Sequence, residues 1–274
     1  MSMALKLKTR TEVPRRILGA WGLDLRRLAG AVQTSAQVRR ERQQFKRQSI
    51  GSGRPEDFPM GKAYPVYADR FDSAGQAKGH YFHQDLYVAR EVFARKPRRH
   101  IDVGSSVYGF VSHVASFREI EVVDIRPLTI TTPGISFVQL DLMNLRPEFE
   151  GIADSVSCLH ALEHFGLGRY GDPVDYDGWR KGLHGLRNLL EPNGVLYLSV
   201  PTGKHQRVEF NAHRVFSLPF LRDTLVELFS IEACSFVDDE GDFHPSVDPW
   251  SNEANLSFEA KYGLSIWILR NSLK

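Results

Sequence analysis

The chain has 274 residues, of which 42% are hydrophobic and 25% charged, enough for one large α/β domain with an appendage. It contains no run of about eighteen apolar residues, so no spanning helix is expected. The net charge of +2 hides a split: residues 1–50 hold 12 Lys/Arg against 3 Asp/Glu, and the remainder 23 against 30. The body therefore lacks the basic excess that gripping nucleic acid requires.

Residues 13–47 read as a helix. Leu18, Trp21, Leu25, Leu28 and Val32 recur at three- and four-residue spacing, with Arg15, Arg16, Arg26 and Arg27 between them. Such a helix suits a core patch or a contact in a homo-oligomer, and its basic face leaves docking on a membrane surface or partner enzyme open. Asp24, Arg26 and Arg27 interrupt any signal-peptide core, so a cytoplasmic protein is expected, docked peripherally at most. Cys158 and Cys234, each in an apolar run, read as reduced packing residues. Gly51-Ser-Gly-Arg-Pro marks a linker, which divides a basic amphipathic extension, 1–50, from a domain over 51–274.

Residues 62–84 read as loop, ending Gly79-His-Tyr-Phe-His-Gln-Asp85, and a helix follows from Leu86 to about Pro97. Next comes His100-Ile-Asp-Val-Gly-Ser-Ser-Val-Tyr-Gly-Phe110: a strand, a turn of small residues, and an apolar helical pattern through Val111, Val114 and Phe117. Short side chains there let backbone approach a ligand, with helix-opening N–H groups pointing into the gap. Strands follow at 120–125, 135–142, 155–159 and 195–200, the last after a helix over 179–190 and an Asn193-Gly194 turn. A helix near 218–229 precedes strands at 231–237 and 264–269. Alternating strands and helices predict a parallel sheet covered on both faces. Only the acidic stretch Asp238–Glu259 joins the last two strands, so they should pair antiparallel.

The acids narrow the cofactor. Asp124 ends the second strand and can accept hydrogen bonds from both ribose hydroxyls of a nucleotide. Gly-Ser-Ser-x-x-Gly departs from the Gly-x-Gly-x-x-Gly that packs a pyrophosphate. A second acid, Asp141, ends the third strand and suits the exocyclic amine of an adenine.

Asp102-Val-Gly-Ser-Ser, Val-Val-Asp124-Ile, Gln-Leu-Asp141-Leu, Leu159-His-Ala-Leu-Glu-His164 and Leu190-Glu-Pro-Asn-Gly-Val-Leu-Tyr-Leu-Ser-Val-Pro201 stand in the order found in class I S-adenosylmethionine-dependent methyltransferases. The resemblance spans about residues 80–270. Gly79–Asp85, Gly166-Leu-Gly-Arg-Tyr-Gly-Asp172 and Phe210-Asn-Ala-His-Arg-Val-Phe216 further resemble a branch associated with surface-polysaccharide genes. The resemblance implies an α/β fold with a Rossmann-like, seven-stranded, mostly parallel sheet, helices on both faces and an antiparallel last strand. It implies S-adenosylmethionine held by Tyr81, Gln84, Asp102, Gly104, Ser105, Ser106, Gly109, Asp124, Ile125, Asp141, Leu142 and His160. It also implies O-methylation of a sugar or glycan-type small acceptor. Ser106 replaces the usual second glycine, which is closer to the loop of ribose-methylating RNA enzymes. Those carry a Lys-Asp-Lys-Glu set, whereas here the fourth strand ends Leu159-His160, so nucleic acid is not expected.

His160-x-x-Glu163-His164 also spells the zinc pattern of inverted zinc proteases. That chemistry needs a helix to put both imidazoles on one face, and here the pattern leaves a strand. Metallopeptidase is the minor alternative, and no metal is expected. For methyl transfer, His164 is the favoured base because an imidazole titrates near working pH, with Glu163, Asp172 and His213 as further catalytic candidates. Gly166, Gly168 and Gly171 suggest a lid whose Arg169 meets an anionic substrate group, with Tyr170 beside it. Lys204, Asn211, His213 and Arg214 are expected on the acceptor side. Asp238, Asp239, Glu240 and Asp242 read as a solvated loop. A reading from another class is a catalytically silent cofactor-binding subunit docked to a partner enzyme by its N-terminal helix.

Overall fold

A computed structural model describes residues 25–66, 75, 77–129 and 132–272. The chain divides into two compact units, Met1–Gln76 and Ala77–Lys274. In the first, helix α1 (Leu25–Gly51) is followed by irregular chain. The expected helical residues 13–24, with Leu18 and Trp21, lie outside the described residues, as do the side chains of Leu25, Leu28 and Val32. Among the described residues, no helix is long and apolar enough to cross a membrane.

The second unit opens with α2 (His80–Arg95), which begins six residues earlier than its apolar pattern predicts. Its inner face carries Gln84 and Asp85 beside Val88, Ala89 and Val92, and the two polar members hide the period. Strands β1 (His100–Val103), β2 (Ile120–Asp124), β3 (Ile135–Gln139), β4 (Ala153–Leu159) and β5 (Leu190–Thr202) are parallel, in the order β3-β2-β1-β4-β5. The segment after the glycine turn is a π-turn, Val107–Val111, running into a one-turn helix α3 (Ser112–Ala115). Helix α4 (Gly178–Leu189) leads into β5, where Asn193 (φ +64°) and Gly194 bulge out of the pairing with β4.

The hairpin β6 (Arg207–Glu209) and β7 (His213–Val215), then α5 (Leu218–Val226) and β8 (Ser230–Val237), complete the crossover. The stretch expected as an acidic loop holds β9 (Phe243–His244), α6 (Asn252–Asn255) and a 3-10 turn. Strand β10 (Gly263–Arg270) inserts between β5 and β8, antiparallel to both. The fold is thus the expected Rossmann-like, mostly parallel sheet with its last strand antiparallel. Strand β9 pairs antiparallel at the edge of β8 and raises the sheet to eight strands.

Alternation along β5 and β10 divides the core. Leu196, Leu198, Trp267 and Leu269 meet Trp179, Leu183 and Leu186 of α4; Tyr197, Ile266 and Ile268 meet Val88 and Val92 of α2. β5 from Val195 to Thr202 is buried throughout, as a central strand covered on both faces must be. Both cysteines are free and buried, and burial pushes their thiol pKa values up, so they pack and do not react.

Candidate active site

The site forms where β1 to β4 end, outside the carboxyl edge of the parallel sheet. Gly104 turns the chain at φ +72°, its N–H bonded to the Val123 carbonyl at 2.9 Å. A Cβ there would stand 3.0 Å from that of Ala161. Beneath the turn Asp102 is wholly buried and accepts from Ser105 N–H (3.1 Å), Ser105 Oγ (2.7 Å) and Ser157 Oγ (2.5 Å). Burial outweighs these bonds and raises its pKa to about 6. Asp102 braces the turn from below.

Helix α2 supplies a second brace. Asp85, buried and likewise raised to about 6 by its burial, fills the space where a side chain at Gly109 would sit. Gln84 Nε2 donates to Asp85 (3.1 Å), and Gln84 Oε1 accepts from Ser199 Oγ (2.6 Å), which in turn accepts from His160 N–H (3.1 Å). Asp102, Gln84 and Gly109 therefore shape the loop from behind and do not line the cavity.

Asp124 and Asp141 both line a slot of about 70 Å3, walled by apolar residues including Val103, Ile125, Leu142, Met143 and Ala161. Asp141 accepts from Met143 N–H (2.9 Å) and Asn144 Nδ2 (2.8 Å). Asp124 is held by its neighbour Arg126, through the backbone N–H (2.8 Å), Nε (3.0 Å) and Nη2 (2.7 Å). The Arg126 guanidinium also lies 4.2 Å from the centre of the Tyr170 ring. Past Gly104, Asp124, His160, His164 and Tyr170 the slot adjoins a cleft of about 590 Å3, within the range of small-molecule sites. Ser105, Ser106, Tyr81, Tyr108 and Tyr262 contribute to its wall.

Imidazoles crowd the cleft. His160, at φ +54°, contacts Glu163 Oε1 through Nδ1 (2.7 Å) and His80 Nδ1 through Nε2 (3.1 Å). His80 and Tyr81 both stack on the His160 ring, and Tyr262 stacks on His80. Burial, then the neighbouring His160, pull the His80 pKa down to about 4. Glu163 is fully buried, and its second oxygen has no hydrogen-bond partner among the described residues. Its Oε1 lies 3.7 Å from His164 Nε2, while His164 Nδ1 is 2.7 Å from the Ala212 carbonyl. A carbonyl only accepts, so this shorter contact favours the proton on Nδ1 and a lone pair on Nε2, against the Arg169 Nη1 donor 3.4 Å from the same Nδ1. Burial lowers the His164 pKa, keeping the imidazole neutral at neutral pH.

Arg169 lines the cleft, donates to the Ala212 carbonyl (2.8 Å), and lies 5.1 Å from the Tyr170 ring centre. His213 lines the cleft as well, and burial lowers its pKa. The other expected residues are engaged in structural contacts, and of them Asp172 also lines the slot. Asp172 accepts from the N–H groups of Gly166 (2.8 Å), Gly168 (3.2 Å) and Tyr170 (3.1 Å), so it ties the glycine-rich loop. Arg214 donates to main-chain carbonyls, Asn211 is exposed at the β6–β7 tip, and Lys204 pairs with Glu259 (2.5 Å). The His-x-x-Glu-His residues sit on a strand end and a 3-10 turn, and no metal-holding cluster of His, Cys, Asp or Glu occurs among the described residues. Sequence reading missed His80, Asp85, Arg126 and Tyr262. Arg126, two residues after Asp124, and His80 and Asp85, inside the Gly79–Asp85 motif, carried a local signal.

A family model described as a Caenorhabditis protein of unknown function, DUF268, matches residues 118–230, less than half of the chain. No curated protein matches the sequence. Among solved structures, the [4+2]-cyclase SpnF is similar at TM-score 0.50 and 12% identity, over 73% of this chain and 86% of that one. An N1-methyltransferase of Burkholderia thailandensis, with bound 1,6-didemethyltoxoflavin and S-adenosylhomocysteine, is similar at TM-score 0.46 and 16% identity, over 69% and 79%. The N-methyltransferase NodS of Bradyrhizobium japonicum, in complex with S-adenosylhomocysteine, gives 0.44 and 12%, over 70% and 88%. At these identities the likeness is one of fold.

Proposed function

We propose that the protein is an S-adenosylmethionine-dependent methyltransferase acting on a hydroxyl of a sugar or glycan-type acceptor. One observation carries this reading: two carboxylates from the ends of neighbouring strands line an apolar slot, which adjoins an imidazole-lined cleft across Gly104. The donor set fits the cofactor. Asp124 suits the ribose hydroxyls, Asp141 and the apolar walls suit adenine, and Gly104 leaves backbone-close space beside both. When bound, S-adenosylmethionine supplies an electrophilic methyl group.

The chain's own residues would then align the acceptor and manage its proton. His164 Nε2 takes the hydroxyl proton as the oxygen gains its methyl, with the ring orientation fixed by Ala212. Glu163 lies close enough to favour the imidazolium that results. Tyr81, Tyr108 and Tyr262 offer ring faces to an acceptor, and Arg169 offers a guanidinium to any anionic group it carries. Residues 1–50 remain the proposed docking extension.

Calorimetry with S-adenosylhomocysteine tests the cofactor reading. The wild type should bind it and ignore NAD, and the reverse result sinks the assignment. Transfer of labelled methyl into candidate glycosides or cell-extract fractions then separates an enzyme from a silent subunit, which would bind without turnover.

A further inference from the structure

β7 is a partition. His213 lines the catalytic cleft, and the next residues, Arg214 and Val215, line a separate cavity of about 320 Å3. Arg180, Arg207, Trp179, Tyr176 and Phe220 line this cavity with it, and no Asp or Glu does. Arg214 is only 7% exposed, yet its guanidinium donates to carbonyls alone: Phe165 (2.6 Å), Glu163 (3.3 Å) and Tyr176 (3.3 Å). Burial pulls its pKa below the usual guanidinium value, while Asp172, Asp175 and Asp177 act on it without forming an ion pair among the described residues. The Arg180 guanidinium lies over the Trp179 ring, 4.5 Å from its centre, and 5.9 Å from that of Phe220. Arg207 is partly offset by Glu209 at 2.8 Å.

A buried charge without a close counter-ion is costly, and an arriving anion removes that cost. Guanidinium forks match phosphate oxygens, and the aromatic walls beside them suit a ring. We propose that this cavity is a second ligand site, which binds a phosphate ester carried on a ring. It stands apart from the catalytic cleft and does not depend on the function proposed above. Arg214 grips the carbonyls of Glu163 and Phe165, on either side of His164, which ties the wall of this cavity to that turn.

The test is calorimetry on the full chain with uridine monophosphate and glucose phosphate, against uridine and glucose. At least one ester should bind saturably, its uncharged counterpart should not, and added salt should weaken it. Arg180→Gln, at an exposed residue that makes no hydrogen bond among those described, should weaken binding about tenfold, as loss of a charged hydrogen bond predicts. Arg207→Gln should act alike, and Arg169→Gln, in the other cleft, should change nothing. Absence of ester binding at millimolar concentration overturns the site. So does binding that survives both substitutions, or that Arg169→Gln abolishes.

Discussion

At the residue scale, two groups divide the work and can be told apart kinetically. In the proposed reaction His164 moves the acceptor's proton, although its side chain also lines the slot. His164→Ala should lower kcat about a hundredfold or more while S-adenosylhomocysteine affinity changes little. Because burial lowers the His164 pKa, the wild-type rate should climb with pH only on the acid side of 6.5 and stay level at higher pH. The alanine variant should lose that climb. A variant that binds poorly yet turns over normally at saturation would instead make His164 a wall of the cofactor slot. Asp124→Ala should do the opposite of His164→Ala, weakening binding by about 1.5–3 kcal/mol with recovery at saturating cofactor. Arg126 competes for the same carboxylate with three donors. Arg126→Ala should therefore tighten binding several-fold in the same titration, and weaker binding would show that the guanidinium helps to hold the ligand.

At the element scale, α4 sets how closely the slot is drawn together. A Cβ at Gly185 would overlap the Leu142 carbonyl oxygen, and one at Gly182 would overlap the Phe165 ring. The helix thus touches the chain just after Asp141 and just after His164 at backbone distance. Gly185→Ala meets main chain that cannot swing aside, and should cost about 1–3 kcal/mol of stability with a parallel loss of cofactor affinity. Denaturant melts with and without S-adenosylhomocysteine measure both. The sequence showed the strands of this frame because apolar residues recur along them: Ile101 and Val103 in β1, Val156, Cys158 and Leu159 in β4, and most of residues 195–200 in β5. It hid the start of α2, since Gln84 and Asp85 occupy inward positions that a periodicity count expects to be apolar. The hairpin was hidden too, being two three-residue strands rich in charge. Among candidate site residues, Asp124, Asp141 and His164 could be placed beside the cavities because they lie at or within five residues of strand ends. Asp102, Asp172 and Arg214 carry equal chemical promise in one dimension. Only the fold reveals that backbone N–H groups, serines or carbonyls engage them.

At the scale of the whole molecule, buried histidines make the fold sensitive to acid. Burial pulls His100 down to about 3 and His80 to about 4, below the usual 6.5. The unfolded chain binds these protons first, so the stability each contributes is full above pH 6.5 and is lost as pH falls to the folded value. Asp85 and Asp102, raised from 3.8 to about 6, work in the opposite sense between those values and flatten the wild-type profile. His100→Asn should reduce the slope of stability against pH between about 3 and 6.5 by up to one proton, about 1.4 kcal/mol per pH unit. Urea melts across that range measure it, and an unchanged slope would mean that His100 is charged in the fold. The two-unit division carries its own expectation: residues 77–274 alone should melt cooperatively and bind S-adenosylhomocysteine. Loss of cooperative melting would assign the first unit to the same core. The Arg126–Asp124 pair, finally, is a clock. If the proposed cofactor's ribose takes Asp124, it must share or displace the half-exposed guanidinium, and encounter alone then does not set the association rate. Dissolved salt loosens such a pair. S-adenosylhomocysteine, which carries no net charge, should enter faster as ionic strength rises, and Arg126→Ala should erase that dependence.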